Sequence, residues 1–245
     1  MLEEGNINKV MSTLNNLSGE RKEYLNKYLR NAPRWYLESM EVVKKDKNSI
    51  FIEEGQDVKF VYILIDGIVR AIDYRIFGIV YDYIWFDNIK TFGAMEILLK
   101  FEKYKTTLMT VTPCTILKIS RSKYEAWMLN DMNALHMEIE DMGKSLLEQA
   151  RKERVFLFLQ GMDRIIYLFT ELYEKNNVNN QVVINQTRKE ISERTGLSVK
   201  TINRSIYKME EEGYITKKGT KITVSKNQYK KIKEYLSPIV DEIKG

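Results

Sequence analysis

Cysteine, histidine and proline are scarce in this chain of 245 residues: one, one and three respectively. A single cysteine excludes an internal disulfide and any site built from several thiolates, iron–sulfur clusters among them. A single histidine, His136, leaves no imidazole set for zinc. Standing alone midway along a helical stretch, it reads as a surface or packing residue rather than a haem ligand. Three prolines and 12 glycines argue against collagenous or low-complexity segments. No apolar run approaches the ~20 residues of a membrane span. The opening MLEEGNINKV lacks the basic-then-apolar pattern of a secretory signal. No Walker-type glycine loop, G-x-S-x-G or H-E-x-x-H occurs, and no acid–base pair, nucleophile–histidine set or metal cluster stands out. The expectation is a cytoplasmic protein that is not an enzyme, binds no metal, needs no cofactor and enters no membrane.

Hydrophobic residues make up 44% and charged residues 30% of the chain, an ordinary globular balance. At roughly 100–200 residues per domain, one large or two small domains fit. The formal net charge is +5. Basic and acidic residues cancel over residues 1–159, so the whole excess lies in residues 160–245. That asymmetry fits an anionic partner for the C-terminal segment. On charge alone, a solvated basic surface explains it equally well.

Residues 6–30 carry Leu14, Leu17, Tyr24, Leu25 and Tyr28 near a helical period, and Pro33 should end that stretch. Short β-branched and aromatic runs follow: Ile50–Ile52, Phe60–Ile65, Ile68–Tyr74, Ile79–Phe86, Thr106–Thr112 and Thr115–Ser120. Turn residues such as Asp66-Gly67, Gly78 and Pro113 punctuate them, which predicts an antiparallel sandwich or barrel. From Arg121 the period turns helical. Met128, Met132, Leu135, Ile139, Met142 and Leu146 step 4-3-4-3-4, the spacing of a coiled-coil seam. A helix from Met128 to Phe156 would be about 43 Å long at ~1.5 Å per residue. Its apolar seam predicts a homodimer, against the plainer reading of a long core helix in a monomer. Gly161 marks a hinge, residues 162–174 form an amphipathic helix, and Val182–Ile184 a short strand. A final helix should run from about Lys226 to Leu236, with a tail beyond Pro238.

The segment Asn185–Val224 is the most informative. Thr187-Arg188-Lys189-Glu190 spells a capping box opening a helix that carries Ile191. Gly196, in Thr195-Gly196-Leu197, supplies a tight turn. Ser198 then caps a second helix with Ile202, Ile206 and Met209 on its inner face and Val199, Lys200, Asn203, Arg204 and Lys208 on its outer face. Two short helices around a glycine turn form a helix-turn-helix, whose second helix enters the major groove of double-stranded DNA. Tyr214-Ile215-Thr216 and Lys221-Ile222-Thr223-Val224, joined across Lys217-Lys218-Gly219-Thr220, spell a hairpin with a basic tip, a wing placed to touch phosphate. Arg204 is the best base reader, since a guanidinium pairs bidentately with guanine O6 and N7. Lys200 can do the same less rigidly or hold a phosphate, and Asn203 can pair with adenine. Thr187, Arg188, Ser198, Thr201 and Lys218 are expected phosphate contacts, which set register without reading sequence. Val199 either packs or touches a thymine methyl.

Taken together, this order resembles the cyclic-AMP receptor protein/FNR (Crp/Fnr) family of bacterial transcription regulators, over about Ile50 to Leu236. The resemblance is carried by Ile52-Glu53-Glu54-Gly55, Tyr62–Val69 with Asp66-Gly67, Phe92-Gly93, and the helix-turn-helix residues Thr187–Ile191 and Gly196–Arg204. It implies an α+β chain: an N-terminal helical segment (1–45), a cyclic-nucleotide-binding-like antiparallel β-roll, or jelly roll (46–120), a connector and dimerisation helix (121–160), and a C-terminal winged helix-turn-helix (161–245). It also implies a homodimer on a palindromic promoter site, with recognition helices about 34 Å apart, and RNA polymerase as a partner. Family members that bind cyclic nucleotides use Gly-Glu and, some ten residues on, Arg-Ser or Arg-Thr. The matching positions here are Gly93, Ala94, Met95 and Glu96, then Lys105 and Thr106. Ala94 stands for the Glu and Lys105 for the Arg, and an ammonium is a poorer phosphate clamp than a guanidinium. The expectation is a different small-molecule effector or none. Gln149 falls where members place polar residues that touch ligand and partner helix, or it fixes the seam's register. Cys114 is either a reactive thiol or a buried structural one. The rival reading is a small-molecule sensor whose C-terminal module contacts a protein rather than DNA.

Overall fold

A computed structural model describes residues 2–74 and 80–244; Gly78 and Ile79 lie outside the described residues. The chain divides into two compact units, Met1–Ser145 and Leu146–Gly245. In the first, chain order is α1 (Leu2–Asn15), α2 (Gly19–Tyr28), α3 (Arg34–Glu38), β1 (Glu41–Lys45), β2 (Ile50–Ile52), β3 (Phe60–Asp66), β4 (Val69–Tyr74), β5 (Val80–Phe86), β6 (Lys90–Phe92), α4 (Ala94–Leu98), β7 (Thr107–Thr110), β8 (Cys114–Ser120), α5 (Arg121–Met128) and α6 (Met132–Phe158), which runs on into the second unit. The strands form two four-stranded antiparallel sheets, β1-β8-β3-β6 and β2-β7-β4-β5. Their apolar faces supply the core: Val61, Ile63, Leu64 and Ile65 from β3, Ile116, Leu117 and Ile119 from β8, and Val69, Ala71 and Ile72 from β4 are all buried.

β1 and β6 were not apparent in the sequence. β1 lies inside the stretch read as an N-terminal helical segment, yet it pairs with β8 with Val42 opposite Leu117. Five residues with two valines carry too little periodicity to show a strand, and pairing with β8 decides it. The helices before it join the same core. Val10, Leu25, Tyr28, Tyr36 and Met40 are buried with the sheet residues. The Tyr36 and Trp127 rings lie 4.1 Å apart, and Tyr28 meets Trp127 edge-on at 5.1 Å.

The seam helix does not begin where the heptad spacing places it. α5 stops at Met128 and α6 starts at Met132, because Asp131 caps a new helix. Its carboxylate accepts from the backbone N–H groups of Asn133 and Ala134, each at 3.1 Å, and from the Trp127 indole at 3.0 Å. Met128 is consequently a core residue, 2% exposed, and not part of an outward seam. Asn130-Asp131 is a capping signal that the apolar period overrode.

Gly67 turns the chain from β3 into β4 with φ +102°. A Cβ there would sit 2.5 Å from Cys114 Sγ and 2.6 Å from the Pro113 carbonyl oxygen. Gly67→Ala is expected to cost about 2–4 kcal/mol through backbone strain and overpacking. Gly219→Ala, at φ +61° with nothing within 4 Å, should cost only about 1 kcal/mol. Urea midpoints of the two variants check the contrast, and equal midpoints would contradict it. Cys114, 3% exposed, is a buried thiol whose ionisation is pushed up by that burial.

A polar network ties α6 to the N-terminal helices inside the first unit. The buried Glu138 carboxylate accepts from the Tyr28 hydroxyl at 2.5 Å, and the Tyr28 and Tyr124 hydroxyls are 3.3 Å apart. Burial raises the Glu138 pKa above its ordinary 4.5, outweighing the lowering by hydrogen bonds from Thr91 and Tyr28. The folded state therefore binds this proton more tightly than the unfolded chain. Its stabilising contribution is full below the ordinary carboxylate range and is lost as pH rises through the raised value. Glu138→Gln should unfold at the same or a higher urea concentration near neutral pH. It should also lose less stability than the wild type as pH climbs from about 4.5 to neutrality, measured by urea melts across that range.

In the second unit, α7 (Met162–Asn176), β9 (Gln181–Ile184), α8 (Arg188–Thr195), α9 (Val199–Glu211), β10 (Thr216–Lys218), β11 (Lys221–Ser225) and α10 (Lys226–Lys244) follow in order. The strands make a sheet β10-β11-β9. Ile165, Ile166 and Phe169 of α7, Ile191 of α8, Ile202, Ile206 and Met209 of α9, and Ile222 and Val224 of β11 close the core. α10 does not end before Pro238 but continues through it to Lys244. One proline removes a single hydrogen bond, and the buried Ile232 and Leu236 anchor the turns before it.

Candidate nucleic-acid interface

α8 opens as the sequence requires. The Thr187 hydroxyl accepts from the Glu190 N–H at 3.1 Å, and the Glu190 carboxylate accepts from the Thr187 N–H at 2.7 Å, closing both halves of the capping box. Gly196 ends it at φ +69°, and its N–H donates to the Ser192 carbonyl at 2.9 Å. Ser198 then starts α9 by accepting from the Thr201 N–H at 3.1 Å. Inside the turn, the Ser192 hydroxyl donates to the Leu197 carbonyl at 2.5 Å, and Arg164 of α7 reaches the Thr195 carbonyl at 3.3 Å. Arg164 is a brace the sequence could not reveal, because it lies far from Thr195 in the chain.

Every third or fourth residue of α9 is buried, which locks the helix and turns the other face outward. Val199, Lys200, Asn203, Arg204, Tyr207 and Lys208 are exposed on that face. Val199 is 43% exposed, so it is not a core residue. Tyr207, 62% exposed one turn beyond Asn203 and Arg204, belongs to the same surface and went unassigned in the sequence, although the helical period places it there. Among the described residues, neither Lys200 nor Arg204 has an ion-pair partner, whereas Lys208 lies 3.5 Å from Glu212. Arg188 and Asn203, expected to contact DNA separately, meet each other: Arg188 Nε donates to Asn203 Oδ1 at 3.1 Å. The wing closes at Gly219 with Lys218 opposite Lys221, and Lys217, Lys218 and Lys221 are all exposed.

The residues that resemble an effector cassette sit in the first unit. Gly93 takes φ +88°, and a Cβ there would lie 2.9 Å from the Phe60 carbonyl oxygen, so only glycine fits. Ala94 is buried and offers no polar atom beyond its backbone; Met95 is half-buried. Glu96 is buried with its carboxylate accepting from the Lys105 backbone N–H at 3.1 Å, a brace between α4 and the segment before β7. The Lys105 side chain is exposed, its ammonium 4.7 Å from the centre of the Phe101 ring, and Thr106 is half-buried. Gly93–Glu96 and Lys105 are thus brought together, without the carboxylate and guanidinium that would grip a ribose and a cyclic phosphate. Gln149 belongs to the other unit and is half-buried on α6.

Of the expected seam, Met132, Ile139 and Leu146 are 75%, 57% and 62% exposed, while Leu135 and Met142 pack partly against the first unit's core. Among the described residues, no helix is long and apolar enough to cross a membrane, and no group of His, Cys, Asp and Glu could hold a metal ion.

Comparison with known proteins agrees with this geometry. Residues 163–228 match the Crp-like helix-turn-helix domain. The cAMP-activated global transcriptional regulator CRP of Haemophilus influenzae is 24% identical over 193 residues, covering 78% of this chain and 86% of that protein. The c-di-GMP responsive global regulator CLP of Xanthomonas campestris superposes with a TM-score of 0.68 at 18% identity, over 76% of this chain and 94% of that one. A CRP/FNR family regulator from Thermus thermophilus gives 0.64 at 17% identity, over 79% and 98%. At such identities the superpositions establish the fold.

Proposed function

We propose that the chain is a transcription regulator of the Crp/Fnr type, a reading supported by its match to the Crp-like helix-turn-helix domain and its likeness to a CRP, and that it works as a homodimer on a palindromic promoter site. The observation that carries the reading is the outer face of α9. Arg204 and Lys200 stand exposed and, among the described residues, without ion-pair partners, on a helix whose other side is locked into the core. Cations left unpaired beside a basic wing are available to phosphates and base edges. Dimerisation is supported by Met132, Ile139 and Leu146, which recur every seven residues on α6 and remain exposed.

The first unit is the effector module of this reading. A cyclic nucleotide held between carboxylate and guanidinium does not suit Ala94, the internally engaged Glu96 and the outward Lys105. Control therefore rests with another small molecule or is absent. An effector acts by binding better to one arrangement of the α6 seam than to another, with Gly161 (φ +48°) between α6 and α7 as the hinge. RNA polymerase is the expected partner at the promoter, and the compartment is the cytoplasm.

The test is duplex binding against ionic strength. Phosphate contacts release counterions, so affinity should fall by about 10³-fold or more between roughly 50 and 200 mM salt. Binding that stays flat over that range would point instead to a protein partner for the C-terminal module. Native mass spectrometry of freshly purified protein reads the oligomer and any retained ligand in one measurement.

A further inference from the structure

We propose that Arg188 is a positioning residue for base readout: it fixes which end of the Asn203 carboxamide faces the DNA. The inference rests on the DNA-binding reading above and adds a specificity determinant to it. Arg188 is the first residue of α8 and Asn203 lies in the N-terminal half of α9, so the bond between them spans the turn of the motif. A guanidinium has only donors, so the group it holds at 3.1 Å must be the amide oxygen. The carboxamide nitrogen, with two N–H donors, is then the unclaimed end; among the described residues it has no partner.

An exposed asparagine without such an anchor can turn over and offer either a donor or an acceptor, which makes it a poor discriminator. Anchored through Oδ1, Asn203 presents a donor. In the major groove, a donor is matched by purine N7, guanine O6 or thymine O4, and is opposed by the N4 amino group of cytosine. Bidentate pairing with adenine, the reading the sequence suggests for Asn203, would have to share the oxygen that Arg188 engages, through its second lone pair. Arg188 keeps its two terminal nitrogens for phosphate. It is half-buried, and burial lowers its pKa from the ordinary value, which marks a cation partly stripped of water and not neutralised by an ion pair among the described residues.

The experiment is selection from a pool of random duplexes by the full-length wild-type chain and by Arg188→Ala, Asn203→Ala and the double variant. In the wild type, one position per half-site should be depleted in cytosine by about fivefold, the discrimination of one hydrogen bond. Arg188→Ala should erase that preference while leaving the guanine preference set by Arg204. Asn203→Ala should erase the same position, and the double variant should lose nothing more there. Retention of the Arg204 position in every variant shows that the motif remains folded. If Arg188→Ala weakens binding equally for all sequences and leaves the wild-type pattern intact, Arg188 is a phosphate contact only and the proposal is overturned. If the wild type itself enriches no sequence, the DNA-binding reading fails first, and this one with it.

Discussion

Ile139→Glu is expected to leave a folded monomer that has lost specific DNA binding. Ile139 is 57% exposed within its own chain, so a carboxylate there costs the fold little. In a dimer built on Met132, Ile139 and Leu146, the same change places two like charges face to face in a dry seam, with no partner for either. Sedimentation at micromolar concentration should report one chain where the wild type should report two, with an unchanged urea midpoint for the monomer's own core. The operator then loses its second recognition helix. Linked half-sites see each other at an effective concentration of roughly millimolar, so unlinking them should weaken operator binding by about 10³-fold or more. A variant that sediments as the wild type does would remove α6 from the interface and return its exposed stripe to an ordinary surface.

Arg204→Ala is expected to remove most of the sequence discrimination and keep non-specific binding. A bidentate guanidinium–guanine pair discriminates by about 1–3 kcal/mol. With two in the dimer, the preference for the operator over random duplex should fall by about 30-fold to 10⁴-fold. Arg204 is exposed and has no ion-pair partner among the described residues, so the melting temperature should not move. Arg204→Lys keeps the charge and loses the fork. It should bind random duplex as the wild type does, yet recover little of the discrimination. Unchanged operator occupancy in Arg204→Ala would remove the base-reading role of α9. The same selection reports the half-site. Lys200 offers donors and no acceptor, so the base it faces should present guanine O6 or N7 rather than the cytosine amino group, and a selected cytosine at that position would refute that.

Much of the DNA-binding motif was legible from residue order alone, because its determinants are local. Thr187 and Glu190 are three residues apart and close the capping box within one turn. Gly196 supplies its own positive φ. The helical period of α9 sorts Ile202, Ile206 and Met209 from Lys200, Asn203 and Arg204 without help from distant residues. Most of the strands showed themselves for the same reason, through β-branched and aromatic runs. What failed was whatever depended on a partner remote in sequence. β1 is a strand because β8 lies beside it. Met128 continues the heptad spacing perfectly and is nonetheless in the core, because Asp131 breaks the helix there. Leu135 and Met142 fit the seam as well as Ile139 does, but the first unit's own core covers part of them.

The sequence by itself therefore determined the type of most elements, the helix-turn-helix motif and the residues on its outward face, since period and capping are properties of neighbouring residues. Only the tertiary structure decided which apolar positions of α6 remain uncovered, that Glu96 faces inward as a brace, and that Arg188 holds Asn203. Each of these is a meeting of side chains from different elements, and a linear order encodes such meetings only through the packing of the whole chain.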